Sequence, residues 1–88
     1  MRVVAVVVTH NRKEYLLRCI DALRGQKGAK TDILVVDNAS DDGTAEALVS
    51  LMEAGEIYYR NTGRNLGGAG GFNFGMRLAV EAGYDRLW

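Results

Sequence analysis

The stretch Ile33-Leu34-Val35-Val36-Asp37-Asn38-Ala39-Ser40-Asp41-Asp42-Gly43-Thr44 decides how this 88-residue chain is read. Four consecutive apolar residues, three of them β-branched, suit a central parallel strand covered by helices on both faces. Asp37 ends that run. Asn38 to Gly43 is turn chemistry, with Ser40, Asp41 or Asp42 available as N-cap of the next helix. Upstream, Val3 to Val8 repeats the buried-strand signature and Thr9-His10-Asn11-Arg12 ends it. Asn11 with Glu14 three residues on matches a capping box. Leu16, Ile20 and Leu23 then recur at helical spacing, with Leu17 and Cys19 beside them, and Gly25 and Gly28 close the helix. Downstream, Ala45, Leu48, Val49 and Met52 predict a helix stopped by Gly55, and Ile57-Tyr58-Tyr59 a third strand. Asn61 to Gly71 reads as a loop holding five of the chain's eleven glycines. Phe72 to Glu81 reads as a third helix, with Phe72, Met76, Ala79 and Val80 inward and Gly83 ending it. Arg86-Leu87-Trp88 begins a fourth strand. Strand and helix alternating in this way mean right-handed βαβ units. The expectation is α/β: one domain over residues 1–88 with an open, mainly parallel, Rossmann-like sheet, broken off as the fourth strand starts.

The totals narrow the partners. Eleven basic and eleven acidic residues cancel, which argues against a nucleic-acid-binding face or a polybasic membrane patch. The single cysteine, Cys19, allows no internal disulfide and fits a reducing compartment. The apolar run at Val3–Val8 is shorter than a signal peptide's core and far shorter than a membrane span. The chain therefore reads as cytoplasmic.

In open α/β sheets ligands bind at the carboxyl ends of the strands, which selects three clusters. They are Thr9 to Arg12 after the first strand, Asp37 to Ser40 after the second, and Asn61 to Gly71 after the third. Asp37 and Asn38 have the acceptors and donors to hold a ribose or an imide-like base edge. Arg12 and a helix N-terminus suit phosphate. The glycines from Gly67 to Gly71 let backbone approach a bulky ligand. A nucleotide carrying a diphosphate fits all three. Each residue also has a plainer role: Asp37 as a turn holder, Asn11 as a cap, Cys19 as a small core residue. Tyr58 and Tyr59 read as sheet residues. His10 lacks the second His or paired Cys of a metal site. No P-loop triplet occurs, Gly68-Ala69-Gly70-Gly71 does not complete a dinucleotide fingerprint, and Ser40 lacks the glycines of a nucleophile elbow.

The segments VVVTHNRKEYLLRCIDAL, ILVVDNASDDGT and NTGRNLGGAGGFNFGMRLA together resemble the N-terminal half of family 2 glycosyltransferases with a GT-A fold. The last segment looks most like bacterial enzymes that transfer rhamnose or galactofuranose. The resemblance implies a UDP- or TDP-sugar donor, a glycan or lipid-linked acceptor hydroxyl, and a role in polysaccharide or cell-wall synthesis. It implies nucleoside contacts from Thr9, His10, Arg12, Asp37 and Asn38. It also implies a pocket lining near the ribose and diphosphate from Asn65, Gly67 and Gly68. Many similar proteins carry Asp-Asp where this chain has Asp37-Asn38, so the choice between uracil and thymine stays open. Mg²⁺ or Mn²⁺ is implied through an Asp-x-Asp motif beyond Trp88, as is a later catalytic base. The 88 residues alone are expected to hold no metal and no activity. Lipid-linked acceptors would bring such a protein to the inner face of the membrane, and the sheet edge at the fourth strand is an expected surface for self-association. Two other readings stand beside this one: a non-catalytic α/β binding module, and a sugar-phosphate nucleotidyltransferase, which would want glycines after the first strand.

Overall fold

The computed structural model describes residues 3–26, 31–84 and 86–87. Its elements are β1 (Val3–Thr9), α1 (Lys13–Gln26), β2 (Thr31–Asp37), α2 (Thr44–Glu53), β3 (Tyr58–Asn61), α3 (Gly67–Glu81) and β4 (Arg86–Leu87). The four strands form one sheet in the order β3-β2-β1-β4, and every pairing is parallel. The expected α/β class and parallel sheet are found. Trp88 and Gly28, named above as a strand residue and a helix stop, lie outside the described residues.

Alternation along the strands divides the core in two. Ile33 and Val35 face one side, where they meet Leu16 and Ile20 of α1, Leu48 of α2 and Ile57. Val4, Leu34 and Val36 face the other side and meet Ala79 of α3, with Phe74 and Leu78 partly buried against them. A β-strand that is apolar at every position is what this two-sided cover demands. Each fully buried Leu, Ile or Val contributes about 1.5–3 kcal/mol.

The direction of travel locates the crevice. From β1 the chain steps one way to β2 and β3, over α1 and α2 on one face. It then returns across the opposite face through α3 to place β4 on the far side of β1. That reversal makes the carboxyl end of β1 the topological switch point, where the first turns of α1 and α3 lie on opposite faces.

Several local expectations are corrected. α3 begins at Gly67, five residues before Phe72, so much of the supposed glycine loop is helical. Its buried stripe is Gly71, Gly75 and Ala79. Phe72, Met76 and Val80 lie outside, with Val80 65% exposed. The reason is distance. A Cβ on Gly75 would sit 2.7 Å from Val6 Cγ1 and 2.9 Å from Val36 Cγ2, and one on Gly71 2.7 Å from Val8 Cγ1. Without those carbons the helix backbone lies close against the sheet, and the larger residues one position on are carried outward. The helix starts also differ. Gly43, at φ 86°, is the N-cap of α2, with no side-chain cap. Asn11 adopts a left-handed conformation (φ 50°), and its side chain does not close a box with Glu14. α1 runs through Gly25 to Gln26.

Gly75→Ala is expected to lose up to about 2 kcal/mol by urea unfolding. The overpacking cost of about 1–3 kcal/mol is set against a gain in helix propensity of about 1 kcal/mol. Gly68→Ala, in the same helix with nothing within 4 Å of the added carbon, should be neutral or stabilising. Equal effects at the two positions would contradict the close-packing account.

Candidate functional site

The register sets the last residues of three strands side by side: Thr9 pairs with Asp37, and Asp37 with Asn61. The loops that follow are therefore neighbours, and hydrogen bonds tie the first two together. The Asn38 N–H donates to the Thr9 carbonyl at 2.8 Å, and His10 Nδ1 lies 2.6 Å from the Asn38 carbonyl. The Asn11 N–H donates to Ser40 Oγ at 2.8 Å, while Asn11 Oδ1 accepts from the Asp41 N–H at 2.7 Å. Asp42 completes the clamp: Oδ2 accepts from the Lys13 N–H at 3.1 Å and Oδ1 from the Thr44 hydroxyl at 2.5 Å. The carboxylate that satisfies the first N–H of α1 thus comes from the loop before α2. Local cap motifs cannot reveal such a partner, because they look only a few residues along the chain.

Asp37 is fully buried at 0% exposure. Its Oδ1 accepts from the Ser40 N–H at 2.9 Å and its Oδ2 from the Tyr59 hydroxyl at 2.6 Å. The turn-holding role is therefore realised, with Tyr59 as a partner the sequence did not disclose. Burial, reinforced by that carboxylate, pushes the Tyr59 phenol up to about 12. Asn38 is almost as buried, and its carboxamide meets the loop before α3: Nδ2 donates to the Gly67 carbonyl at 3.0 Å, and Oδ1 accepts from the Leu66 N–H at 3.4 Å.

At the switch point these loops border a cleft of about 460 Å³. Val7, Val8 and Thr9 of β1 line it, as do Arg12, Tyr15, Leu16 and Cys19 at the start of α1. His10, Asn38, Asn65, Gly67 and Gly68 complete the lining. Seven of the eight residues selected from the sequence thus meet around one cavity: Thr9, His10, Arg12, Asn38, Asn65, Gly67 and Gly68. Asp37 is the exception, lying beneath the surface. Cys19, read above as a core residue, is half-buried on the cleft wall. Tyr15, which the sequence reading passed over, also lines the cleft and is 61% exposed. Its place on the outer side of α1 gave no signal. Because Nδ1 of His10 must donate to a carbonyl, neutral His10 keeps its lone pair at Nε2, beside Asn11 Nδ2 at 3.4 Å. Ser40 Oγ accepts from Asn11 instead of meeting His10, so Ser40, His10 and Asp37 form no nucleophilic triad.

Among the described residues no three His, Cys, Asp or Glu side chains gather as metal ligands. Two carboxylates at the end of β2 and in the loop after it are engaged, Asp37 by Ser40 and Tyr59 and Asp42 by Lys13 and Thr44. Among the same residues no helix is long and apolar enough to cross a membrane.

Comparison with known proteins gives the following. Residues 4–82 match the family model for glycosyl transferase family 2. The chain is 42% identical to the galactofuranosyltransferase GlfT1 of Mycobacterium tuberculosis and 43% identical to that of Mycolicibacterium smegmatis. Each alignment covers 98% of the chain and 28% of the relative. It is 37% identical to an undecaprenyl-phosphate mannosyltransferase of Micrococcus luteus, over 99% of the chain and 36% of that protein. The chain therefore spans roughly a third or less of these relatives' lengths.

Two titrations test the clamp. The Thr44 hydroxyl first, and the Lys13 N–H after it, hold the Asp42 carboxyl below its ordinary value of 3.8. A depressed pKa stabilises the fold above the unfolded value, and that contribution fades as pH falls through the folded one. The Lys13 amide resonance should therefore move with an inflection below 3.8, and the movement should vanish in Asp42→Asn. For Tyr59 the sign is opposite. Its contribution is complete below the unfolded value of 10.0 and is lost as pH rises toward about 12. Tyr59→Phe should remove a phenol inflection at about 12 from an ultraviolet titration. It should also lower the unfolding free energy near neutral pH by about 1–3 kcal/mol, since a buried carboxylate oxygen loses its donor.

Proposed function

Because the chain belongs to glycosyl transferase family 2, we propose that it is the donor-binding part of an enzyme that transfers a sugar from a pyrimidine nucleoside diphosphate. The acceptor is a hydroxyl on a glycan or a lipid-linked glycan of the cell wall. The observation that carries this reading is the cleft at the switch point, which gathers Arg12, the first turn of α1 and the first turn of α3 around one opening. Helix N-termini present unpaired N–H groups and positive dipole ends, and Arg12 adds a fixed cation. A diphosphate is the group these favour. The apolar lining of Val7, Val8 and Leu16 suits a flat base, with His10 beside them in the same cleft.

In this reading the described residues bind and orient the donor. Arg12 and the N–H groups near Gly68 take the diphosphate; Thr9, His10 and Asn65 border the nucleoside. A divalent cation, Mg²⁺ or Mn²⁺, would neutralise the departing diphosphate, held by carboxylates other than those described. The two galactofuranosyltransferase relatives favour galactofuranose as the sugar, and the third relative's lipid phosphate supports a lipid-linked acceptor. A nucleotide-sugar donor and a lipid-linked acceptor together support a cytoplasmic enzyme peripheral to the inner face of the membrane.

The test is calorimetric titration of the full protein carrying this chain with UDP, TDP and ADP, Mn²⁺ being present. A pyrimidine nucleotide should bind and ADP should not; no nucleotide binding at all refutes the reading. Arg12→Ala should weaken the pyrimidine complex by about 1.5–3 kcal/mol, the range for a hydrogen bond to a charged group. The loss should shrink as salt is added.

A further inference from the structure

The wall of the cleft formed by the start of α3 is held from beneath by one side chain. Asn38 is 2% exposed. The carboxamide's orientation is fixed by groups that cannot exchange roles: the Gly67 carbonyl only accepts, and the Leu66 N–H only donates. The Thr62 hydroxyl lies 3.1 Å from Oδ1, although its single proton has a nearer acceptor in the Arg64 carbonyl at 2.6 Å. From above, α3 presses on the amide: a Cβ at Gly71 would sit 2.8 Å from Asn38 Nδ2. The side chain is therefore enclosed by β2, by the loop before α3 and by α3 itself.

We propose that Asn38 is a positioning residue for the cleft, one whose carboxamide fixes the Leu66–Gly68 backbone against which the ligand lies, instead of contacting the nucleotide. The inference rests on the nucleotide-binding reading above. It assigns the second residue of the Asp37-Asn38 pair a task that needs a donor and an acceptor on one planar group. A carboxylate of the same shape supplies only acceptors, and its second oxygen would face the Gly67 carbonyl. Protonation would restore the donor.

Asn38→Asp in the full protein exploits this. With Mn²⁺ at neutral pH, its affinity for UDP should fall by roughly tenfold or more and recover as pH is lowered through the titration of the new carboxyl. The native protein, run in parallel, accounts for His10, whose ring sits on the Asn38 carbonyl. Without nucleotide, glycine-selective amide spectra of the variant should show the Gly67 and Gly68 resonances moving over that same pH range. A folded variant that binds UDP as tightly as the native protein, or loses affinity with no recovery and unmoved Gly67 and Gly68 signals, overturns the proposal. If the native protein binds no UDP, the nucleotide reading fails separately, and the glycine resonances alone decide the positioning role. Should Asn38→Asp not fold, Asn38→Ser replaces it. Its side chain is too short to reach Gly67, so several-fold weaker UDP binding with shifted Gly67 and Gly68 signals is expected, and native affinity would refute the role.

Discussion

α3 can lie where it does only because two carbons are missing. At Gly71 and Gly75 the helix backbone comes within contact distance of Val6, Val8 and Val36, closer than any side chain would allow. That approach sets the height of the helix over the sheet and hence the place of its first turn at the carboxyl end of β1. The α3 wall of the cleft follows from it, and so does the burial of Asn38, which Gly71 presses from above. The cost is local helix propensity, since four of the first five residues of α3 are glycine. Tertiary packing of the small-residue face and the hydrogen bonds to its first turn offset that cost.

The other wall is held differently. α1 packs through Leu16 and Ile20, ordinary large apolar residues, and its N-terminus is fixed by polar groups from the β2–α2 loop. Asn11 bonds to Ser40 and to Asp41, and the Lys13 N–H to Asp42, across 29 or 30 residues of sequence. One side of the cleft is thus positioned by close backbone contact, the other by a polar clamp. Asp37 and Asn38 link the two. The first anchors the Ser40 turn and Tyr59, and the second reaches across to Leu66 and Gly67.

The fold was largely legible because its signal is repeated: two runs apolar on both faces, each followed by a polar turn and an amphipathic helix. The end of the sheet that carries the cleft follows from that alternation, whereas the strand order, with β4 beside β1, is a finding of the structure. What the sequence hid are interactions whose partners lie far apart. The helical spacing of Phe72, Met76 and Val80 is as regular as that of Gly71, Gly75 and Ala79, and only the distance to the sheet decides which stripe goes inside. Glycine density suggested a loop, since propensity is counted locally while the stabilising contact is with β1 and β2. Asp42 was one of three N-cap candidates for α2, and its bond to Lys13 becomes visible only when two loops are neighbours. Among the cleft residues, Thr9, His10, Arg12, Asn65, Gly67 and Gly68 were found through their place after strands. Asp37 was singled out by the same rule, yet it lies under the surface, because a strand's last residue points into the layer when its neighbours leave no solvent beside it.

Cys19, the one thiol of the chain, occupies a half-buried place on the cleft wall, one helical turn beyond Tyr15. That arrangement puts a thiol-bearing residue in the lining of the cavity. Free cysteine sulfur reacts as the thiolate: attack on a small disulfide reagent would expel one of its thiols and leave the other half bound to Cys19 as a mixed disulfide, which a reducing thiol reverses. The cleft is in that sense addressable by covalent fragments. A small tethered group at this sulfur would occupy the same volume that a reversible ligand must fill, turning an open cavity into one that can be occupied and released under redox control.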